Sequence, residues 1–290
     1  MRVETKDLTF TYSPKTKALS VNALNGVSLS IESGEFYGII GQTGSGKSTF
    51  VQHLNGLIRL GKDCGSVRIG EFDLADKKCN LKALRSKVGM VFQYPEYQLF
   101  AETVQEDVAF ALKNFFPELK GEQLNEKVAE ALTLVGLDYD KIKDKSPFEL
   151  SGGQKRRVAI AGVIVARPEI LVLDEPVAGL DPQGKRDFLW LLHKLHDDFV
   201  KTIIIVSHDM DIVAENCTRL AVFSKGEVVL EGTPKQVFEN VGKILSLGLA
   251  LPTTAYLSNC LADAGKRIES DLTVDGFINA VAEKFGGKRL

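Results

Sequence analysis

The period of the hydrophobic positions changes several times along the chain. Over residues 3–12, Val3, Leu8, Phe10 and Tyr12 are interleaved with charged residues and threonine, and residues 23–31 repeat this with Val27, Leu29 and Ile31. Period two predicts half-buried antiparallel strands. The run Phe36-Tyr37-Gly38-Ile39-Ile40 is instead continuous, apolar and closed by glycine. Such a run suits a central strand covered on both faces. Residues 88–92, 170–173 and 203–206 have the same character.

Helical spacing separates these runs. Leu124, Val128, Ala131, Leu132 and Val135 share a face, and Gly136 follows as a stop. Residues 153–166 form another stretch ending before Pro168, and Phe188, Leu191, Leu192 and Leu195 mark a third. Strands alternating with helices predict a parallel sheet with crossover helices. Further on, residues 220–223 and 228–230 flank Lys225-Gly226, a hairpin signal. From about residue 241 short helical patterns take over, broken by Gly248 and Pro252 and carrying Tyr256, Leu257, Leu261, Val274, Phe277, Ile278 and Val281. The prediction is an α/β fold with a small helical appendage over 241–290.

Composition removes several function classes. A chain of 290 residues, 44% hydrophobic and 26% charged, is expected to bury a sizeable core. Its 36 basic and 38 acidic residues leave a net charge of −2, which argues against a general nucleic-acid binder. No apolar run approaches the ~20 residues that span a bilayer. The charged start, Met1-Arg2-Val3-Glu4, predicts no secretory signal. Cys64, Cys79, Cys217 and Cys260 form no C-x-x-C pair and are expected to be reduced thiols.

Candidate chemistry begins after the strand 36–40. Gly41-Gln42-Thr43-Gly44-Ser45-Gly46-Lys47-Ser48 fits G-x-x-x-x-G-K-[ST] and opens a helical stretch over 48–57. Glycines let the backbone turn several N–H groups toward phosphate oxygens, and the helix N-terminus adds a positive dipole end. Lys47 would reach the β- and γ-phosphates, and the Ser48 hydroxyl would ligate Mg²⁺. A second apolar strand ends in Asp174-Glu175. Ligands of open α/β sheets bind outside the carboxyl ends of the strands. Asp174 would therefore hold Mg²⁺ through water, and Glu175 would act as general base. Residues 203–206 lead into Ser207-His208, which delivers a histidine to the same edge. His193 and His196 lie three apart on a helical stretch without a third ligand, and read as a solvated face.

Leu150-Ser151-Gly152-Gly153-Gln154 precedes the helix that ends near Pro168. Ser151 suits an N-cap, and two glycines expose first-turn amides, a second anion site far along the chain from Lys47. With these motifs together, residues 2–240 resemble the nucleotide-binding subunit of ABC transporters. That resemblance implies a P-loop ABC cassette over 1–240: a mainly parallel core sheet, an N-terminal antiparallel β region, and a helical subdomain over about 94–165. Residues 241–290 then form a C-terminal helical extension.

The resemblance further implies that two subunits meet head to tail and sandwich each ATP. The nucleotide would lie between Tyr12, Gly41, Thr43, Gly44, Ser45, Gly46, Lys47, Ser48 and Thr49 of one subunit and Ser151, Gly152, Gly153 and Gln154 of the other. Tyr12 would stack on adenine. Gln93 would contact Mg²⁺ and water and sense the membrane partner. The loop Ala178-Gly179-Leu180-Asp181 would cross to the opposite subunit, and His208 would be the switch histidine. Val177 departs from the family, where Ser or Thr is common.

Three segments narrow the resemblance: 91–100 with its aromatics around Gln93, Gln52-His53-Leu54-Asn55-Gly56-Leu57, and the flanks of the signature over 146–163. Together they resemble the ATPases of energy-coupling factor transporters, which import vitamins and transition-metal ions. Implied partners are a second, related ATPase, a membrane T component and a substrate-binding S component, with no nucleic acid. The implied location is the cytoplasmic face of the cell membrane. Tyr94, Tyr97, Leu99 and Phe100 are the candidates for the membrane-facing groove, and Phe277-Ile278-Asn279 for pairing through the extension. The triplet Lys155-Arg156-Arg157 is open between nucleotide, partner, lipid headgroups and plain solvent. The competing readings are the ATPase of a conventional binding-protein-dependent importer and a soluble ABC ATPase acting on DNA or ribosomes. No heptad run of the chromosome-maintenance kind separates the phosphate loop from LSGGQ.

Overall fold

The computed structural model describes residues 1–12, 20–269 and 271–286. The chain opens with β1 (Val3–Tyr12), β2 (Val21–Ile31), β3 (Phe36–Gly41), α1 (Lys47–Leu54), β4 (Ser66–Ile69), β5 (Phe72–Asp73), α2 (Leu81–Lys87) and β6 (Val88–Val91). It continues through α3 (Val104–Phe115), α4 (Gly121–Leu134), α5 (Tyr139–Ile142) and α6 (Gly152–Ile164) to β7 (Ile170–Asp174), α7 (Pro182–Asp198), β8 (Thr202–Val206) and α8 (Met210–Asn216). The hairpin β9 (Arg219–Ser224) and β10 (Glu227–Gly232) follows, then α9 (Pro234–Phe238), α10 (Val241–Ser246), α11 (Thr253–Asp263) and α12 (Val274–Phe285).

The two predicted kinds of strand fall into two sheets. The alternating segments β1 and β2 pair antiparallel, with Val3 opposite Ile31 and Tyr12 opposite Val21, in a sheet of order β2-β1-β4-β5. The continuous apolar runs form the centre of a sheet of order β10-β9-β3-β8-β7-β6. Its members are parallel except β10, which returns antiparallel from β9 through Lys225-Gly226. Both turn residues have positive φ, 51° and 82°, as a tight hairpin requires. The hydrophobic period did not single out β4, β5, α2 or α3.

Strand parity assigns the core to two layers. On β7, Leu171 and Leu173 face the helices of the segment between β6 and β7, while Ile170 and Val172 face α1 and the antiparallel sheet. On β8, Ile203 and Ile205 divide from Ile204 and Val206 in the same way. Each of these fully buried side chains contributes roughly 1.5–3 kcal/mol of transfer free energy. Parity also carries the site: Asp174 follows Ile170 and Val172 onto the α1 side.

Between β6 and β7 the chain is helical. Thr103 caps α3 by accepting from Glu106 N at 3.2 Å. The buried Asp107 carboxylate accepts from the amides of Phe100 and Ala101 at 2.8 and 3.0 Å, which folds the preceding loop against the helix. Beyond β10, two carboxylates of α8 hold the starts of the last helices. Asp211 accepts from Thr253 N and Oγ1 at 2.6 and 2.8 Å, and Glu215 from Val274 N at 3.4 Å. Anionic groups at helix N-termini meet the positive end of the dipole. Residues 270 and 287–290 of the expected extension lie outside the described residues. Among the described residues, no helix is long and apolar enough to cross a membrane.

Candidate active site

The phosphate loop joins the buried strand β3 to α1. Two of its glycines are obligatory. Gly41 has φ 151°, and a Cβ there would lie 2.3 Å from the Phe223 carbonyl oxygen. Gly46 has φ 103°, and a Cβ would lie 2.4 Å from the Ala23 carbonyl oxygen. Lys47 Nζ donates to the carbonyls of Gly41 and Gln42 at 2.7 and 2.9 Å, so the buried ammonium is held within the loop's curl. Burial lowers its pKa, while the neighbouring Glu175 and Asp174 pull it back up. Ser45 Oγ is buried and has no hydrogen-bond partner among the described residues.

The acidic edge meets this loop. Asp174, buried at the end of β7, has its pKa raised first by burial and also by Glu175, against a hydrogen bond from the Ser48 hydroxyl and the charge of Lys47. Its Oδ1 has no hydrogen-bond partner among the described residues. Glu175 departs from the strand with φ 50°, a left-handed conformation that non-glycine residues rarely adopt. Its amide still donates to the Val206 carbonyl at 2.9 Å, which ties the turn to β8. Glu175 Oε2 accepts from Gln93 Nε2 at 3.1 Å and lies 3.3 Å from His208 Nδ1. Two residues predicted from separate strand ends, Gln93 and His208, thus meet one carboxylate oxygen of the third, Glu175.

Tyr12 is half-exposed across the loop. Its hydroxyl is 3.3 Å from Thr49 Oγ1, and its ring lies edge-on to Phe10 at 4.8 Å. Phe10 in turn packs edge-on against buried His53 at 5.0 Å. A cavity of about 370 Å³ lies among Tyr12, Thr43, Gly44, Gly46, Lys47, Ser48, Thr49, Gln93, Asp174 and Glu175. Val21 and Ala23 also line it. Sequence reasoning missed these two, and no motif distinguishes them from other strand residues.

Other predicted residues lie apart from this cavity. Ser151 N-caps α6 in a reciprocal box: Gln154 N donates to Ser151 Oγ at 3.3 Å, and Ser151 N donates to Gln154 Oε1 at 3.1 Å. Gly152 and Gly153 stand in the open, with no neighbour among the described residues that a Cβ would meet within 4 Å. Asp181 N-caps α7, accepting from Gly184 N at 2.7 Å. None of residues 151–154 or 181 lines the cavity around the phosphate loop.

The protein belongs with known families on three comparisons. A family model described as ABC transporter matches residues 24–178. The energy-coupling factor transporter ATP-binding protein EcfA2 of Clostridium tetani is 47% identical over 272 residues, 94% of this chain and 93% of that protein. The protein of the same name from Clostridium perfringens is also 47% identical, over 94% of each chain. The chain is an ABC transporter ATP-binding protein of the energy-coupling factor type.

Among solved structures, this ATPase superposes on cbiO1 of Clostridium perfringens, described as part of the ABC transporter complex cbiONQ. The TM-score is 0.71 and the identity 38%, over 88% of this chain and 97% of that one. A dimeric post-hydrolysis state of the ATP-binding cassette MJ0796 with ADP and Pi gives the same TM-score at 31% identity, over 80% and 98%. The predicted ABC cassette fold is therefore borne out, and the protein is an ATP-hydrolysing transport ATPase. The cavity suits the nucleotide, because Lys47 and the hydroxyl residues Ser48 and Thr49 that line it carry donors for phosphate oxygens.

Two surface assignments need correction. Tyr94, Tyr97 and Phe100 are exposed, but Leu99 is buried in the core with Val104 and Val108, because the Asp107 carboxylate draws the loop inward. The triplet 155–157 also divides. Arg156 is buried, and Arg157 Nη1 donates to the Val135 carbonyl at 3.3 Å. His193 and His196 engage Asn216 and the Lys201 carbonyl at 2.7 and 3.2 Å, so both have partners without a metal.

Proposed function

We propose that two such cassettes, this chain and a related ATPase, clamp ATP between the phosphate loop of one and the LSGGQ segment of the other. The observation that carries this reading is the separation of two anion-binding features within one chain. The Ser151-capped helix offers open first-turn amides, yet it contributes nothing to the cavity lined by Lys47. A second subunit would bring the two together. The dimeric MJ0796 structure supports the arrangement.

Within the clamp, Tyr12 would stack on the base and the loop amides of 41–48 would hold the phosphates. Ser48 Oγ, Gln93 and the unpartnered Oδ1 of Asp174 form a hard oxygen set suited to Mg²⁺. When bound, that ion supplies charge neutralisation at the phosphate oxygens. Glu175 would accept the proton of the attacking water, with Gln93 and His208 fixing the carboxylate's direction. Lys47 and the partner's signature segment would stabilise the developing charge, each such preorganised contact being worth ~2.7–4 kcal/mol. Asp181 would hold the start of α7 toward the opposite subunit. ATP binds the closed pair better than the open one, and that difference in affinity drives the motion.

The closed and open states would act on a membrane T component that carries an S component, importing a vitamin or transition-metal ion. The ATPase pair would sit on the cytoplasmic face of the membrane, with exposed Tyr94, Tyr97 and Phe100 facing the membrane subunit and 241–290 assisting pairing. The names of the C. tetani and C. perfringens relatives, and the complex to which cbiO1 belongs, support this. The test is affinity capture from detergent-solubilised source membranes with mass spectrometry. Recovery of a second ATPase and small polytopic proteins is expected. Recovery with two like permeases would favour a conventional importer, and a soluble pool bound to DNA or ribosomes would overturn the transporter assignment.

A further inference from the structure

Arg156 starts the second turn of α6, directly behind the signature residues. Its side chain is 7% exposed. Nε donates to Glu96 Oε2 at 3.4 Å and Nη2 to the Ala178 carbonyl at 3.2 Å, while Nη1 is buried without a hydrogen-bond partner among the described residues. Glu96 belongs to the short 3-10 turn Pro95–Gln98, which follows Gln93. Ala178 N donates to the Glu175 carbonyl at 3.2 Å. One guanidinium therefore joins the signature helix, the segment after the glutamine, and the turn behind Glu175.

This arrangement is a poor way to gain stability. A buried cation recovers its desolvation cost only with short, complete hydrogen bonding. Here the single carboxylate is at 3.4 Å and one donor nitrogen is orphaned. What a guanidinium does provide is direction, since its donors lie in a rigid planar fork. Its two contacts fix the relative placement of Glu96 and Ala178, and through them of Gln93 and Glu175.

We propose that Arg156 is a positioning residue for ATP hydrolysis. It holds the Gln93–Glu175 pair in register with the helix that presents Ser151 to the other subunit. The inference rests on the roles given above to Gln93 and Glu175. Arg156 and Glu96 line no part of the nucleotide cavity. Their loss should therefore lower kcat and leave nucleotide binding alone.

The test uses the full chain with R156K, R156Q, E96Q, the double variant R156Q/E96Q, and E175Q as a control. Steady-state kcat and KM for ATP, equilibrium binding of a fluorescent ATP analogue and melting temperature are measured for each. The expected result is a roughly 10- to 100-fold fall in kcat for R156Q and E96Q, the scale of a small misplacement of reacting groups. KM and analogue binding should stay within about twofold. The double variant should be no worse than the poorer single, because both remove one link. R156K keeps a charge beside Glu96 but cannot make both contacts, so it should melt near the wild type and still turn over slowly. E96Q, at a partly exposed position, carries the test if R156Q does not fold. Undiminished kcat in E96Q and R156K, or kcat losses that merely track melting temperature, would overturn the proposal. An active E175Q would instead overturn the base assignment, whatever Arg156 does.

Discussion

Replacing Glu175 by glutamine changes one atom and one charge where β7 and β8 deliver their ends. The side chain keeps its shape, and a glutamine oxygen can still accept from Gln93, which now lies 3.1 Å away. What disappears, on the proposed role of Glu175, is the proton acceptor. A positioned general base contributes typically 10²–10⁴ in rate, or about 2.7–5.5 kcal/mol of barrier. The charge change acts in the opposite sense on binding. Glu175 raises the pKa of Asp174, so its removal lets Asp174 ionise more readily. It also supports the protonated form of Lys47, but the two backbone carbonyls at 2.7 and 2.9 Å still hold that ammonium. One negative charge fewer beside the triphosphate reduces repulsion. Nucleotide affinity should therefore hold or increase while kcat falls by about 10²–10⁴. With hydrolysis blocked, ATP should shift the protein toward a stable closed pair. Phosphate release, equilibrium nucleotide binding and light scattering with and without ATP measure the three quantities. Turnover within about threefold of wild type would refute the reasoning. A fall in affinity as large as the fall in kcat would also do so, because it would mark Glu175 as a binding residue.

Tyr12→Ala should weaken ATP binding by about 5- to 150-fold, the value of one stacked base at ~1–3 kcal/mol; Tyr12→Phe, which loses only the contact with Thr49, should bind nearly as well as wild type by calorimetry. Ser151→Ala removes the acceptor for Gln154 N and should cost about 1 kcal/mol of stability, a drop of ~2–4 °C in Tm. Its hydrolysis should fall much further, by ~10²–10³, while the affinity of the single chain for nucleotide stays put; equal losses in both would argue against a role in the other subunit's site. His53 is buried with Nδ1 2.7 Å from the Thr49 carbonyl and Nε2 unpartnered among the described residues, and burial lowers its pKa from the usual 6.5. The unfolded chain then binds the proton more tightly, so this contribution to stability is present above pH 6.5 and is lost as pH falls toward the lowered native value. The slope approaches about 1.4 kcal/mol per pH unit, and His53→Leu should flatten this part of a denaturation profile.

Much of the site was legible because its residues answer local demands. Gly41 and Gly46 occupy conformations and close approaches that a side chain would obstruct, and those demands travel with the motif. The continuous apolar runs marked strands covered on both faces, and β3, β7 and β8 are buried throughout. Ser151 and Gln154 formed the reciprocal cap that their spacing permits. Leu99 and Arg156 were misread for the opposite reason. An apolar residue among exposed aromatics, and an arginine in a basic triplet, look like surface until another element arrives. Asp107 pulls Leu99 inward, and Glu96 with the Ala178 carbonyl gives Arg156 partners in the interior.

The sequence by itself determined β1–β3 and β6–β10, the cap of the signature helix, the phosphate loop and the family to which its motifs point. Period and capping act over a few residues, so they can be read along the chain. Only the tertiary structure decided that Gln93, Glu175 and His208 share one oxygen, that Ser151 stands apart from Lys47, and that α8 carries the start of two C-terminal helices. Those relations depend on which strands become neighbours in the sheet and which helix covers each face. They join residues far apart in sequence, and hydrophobic period records that a face is covered without recording what covers it.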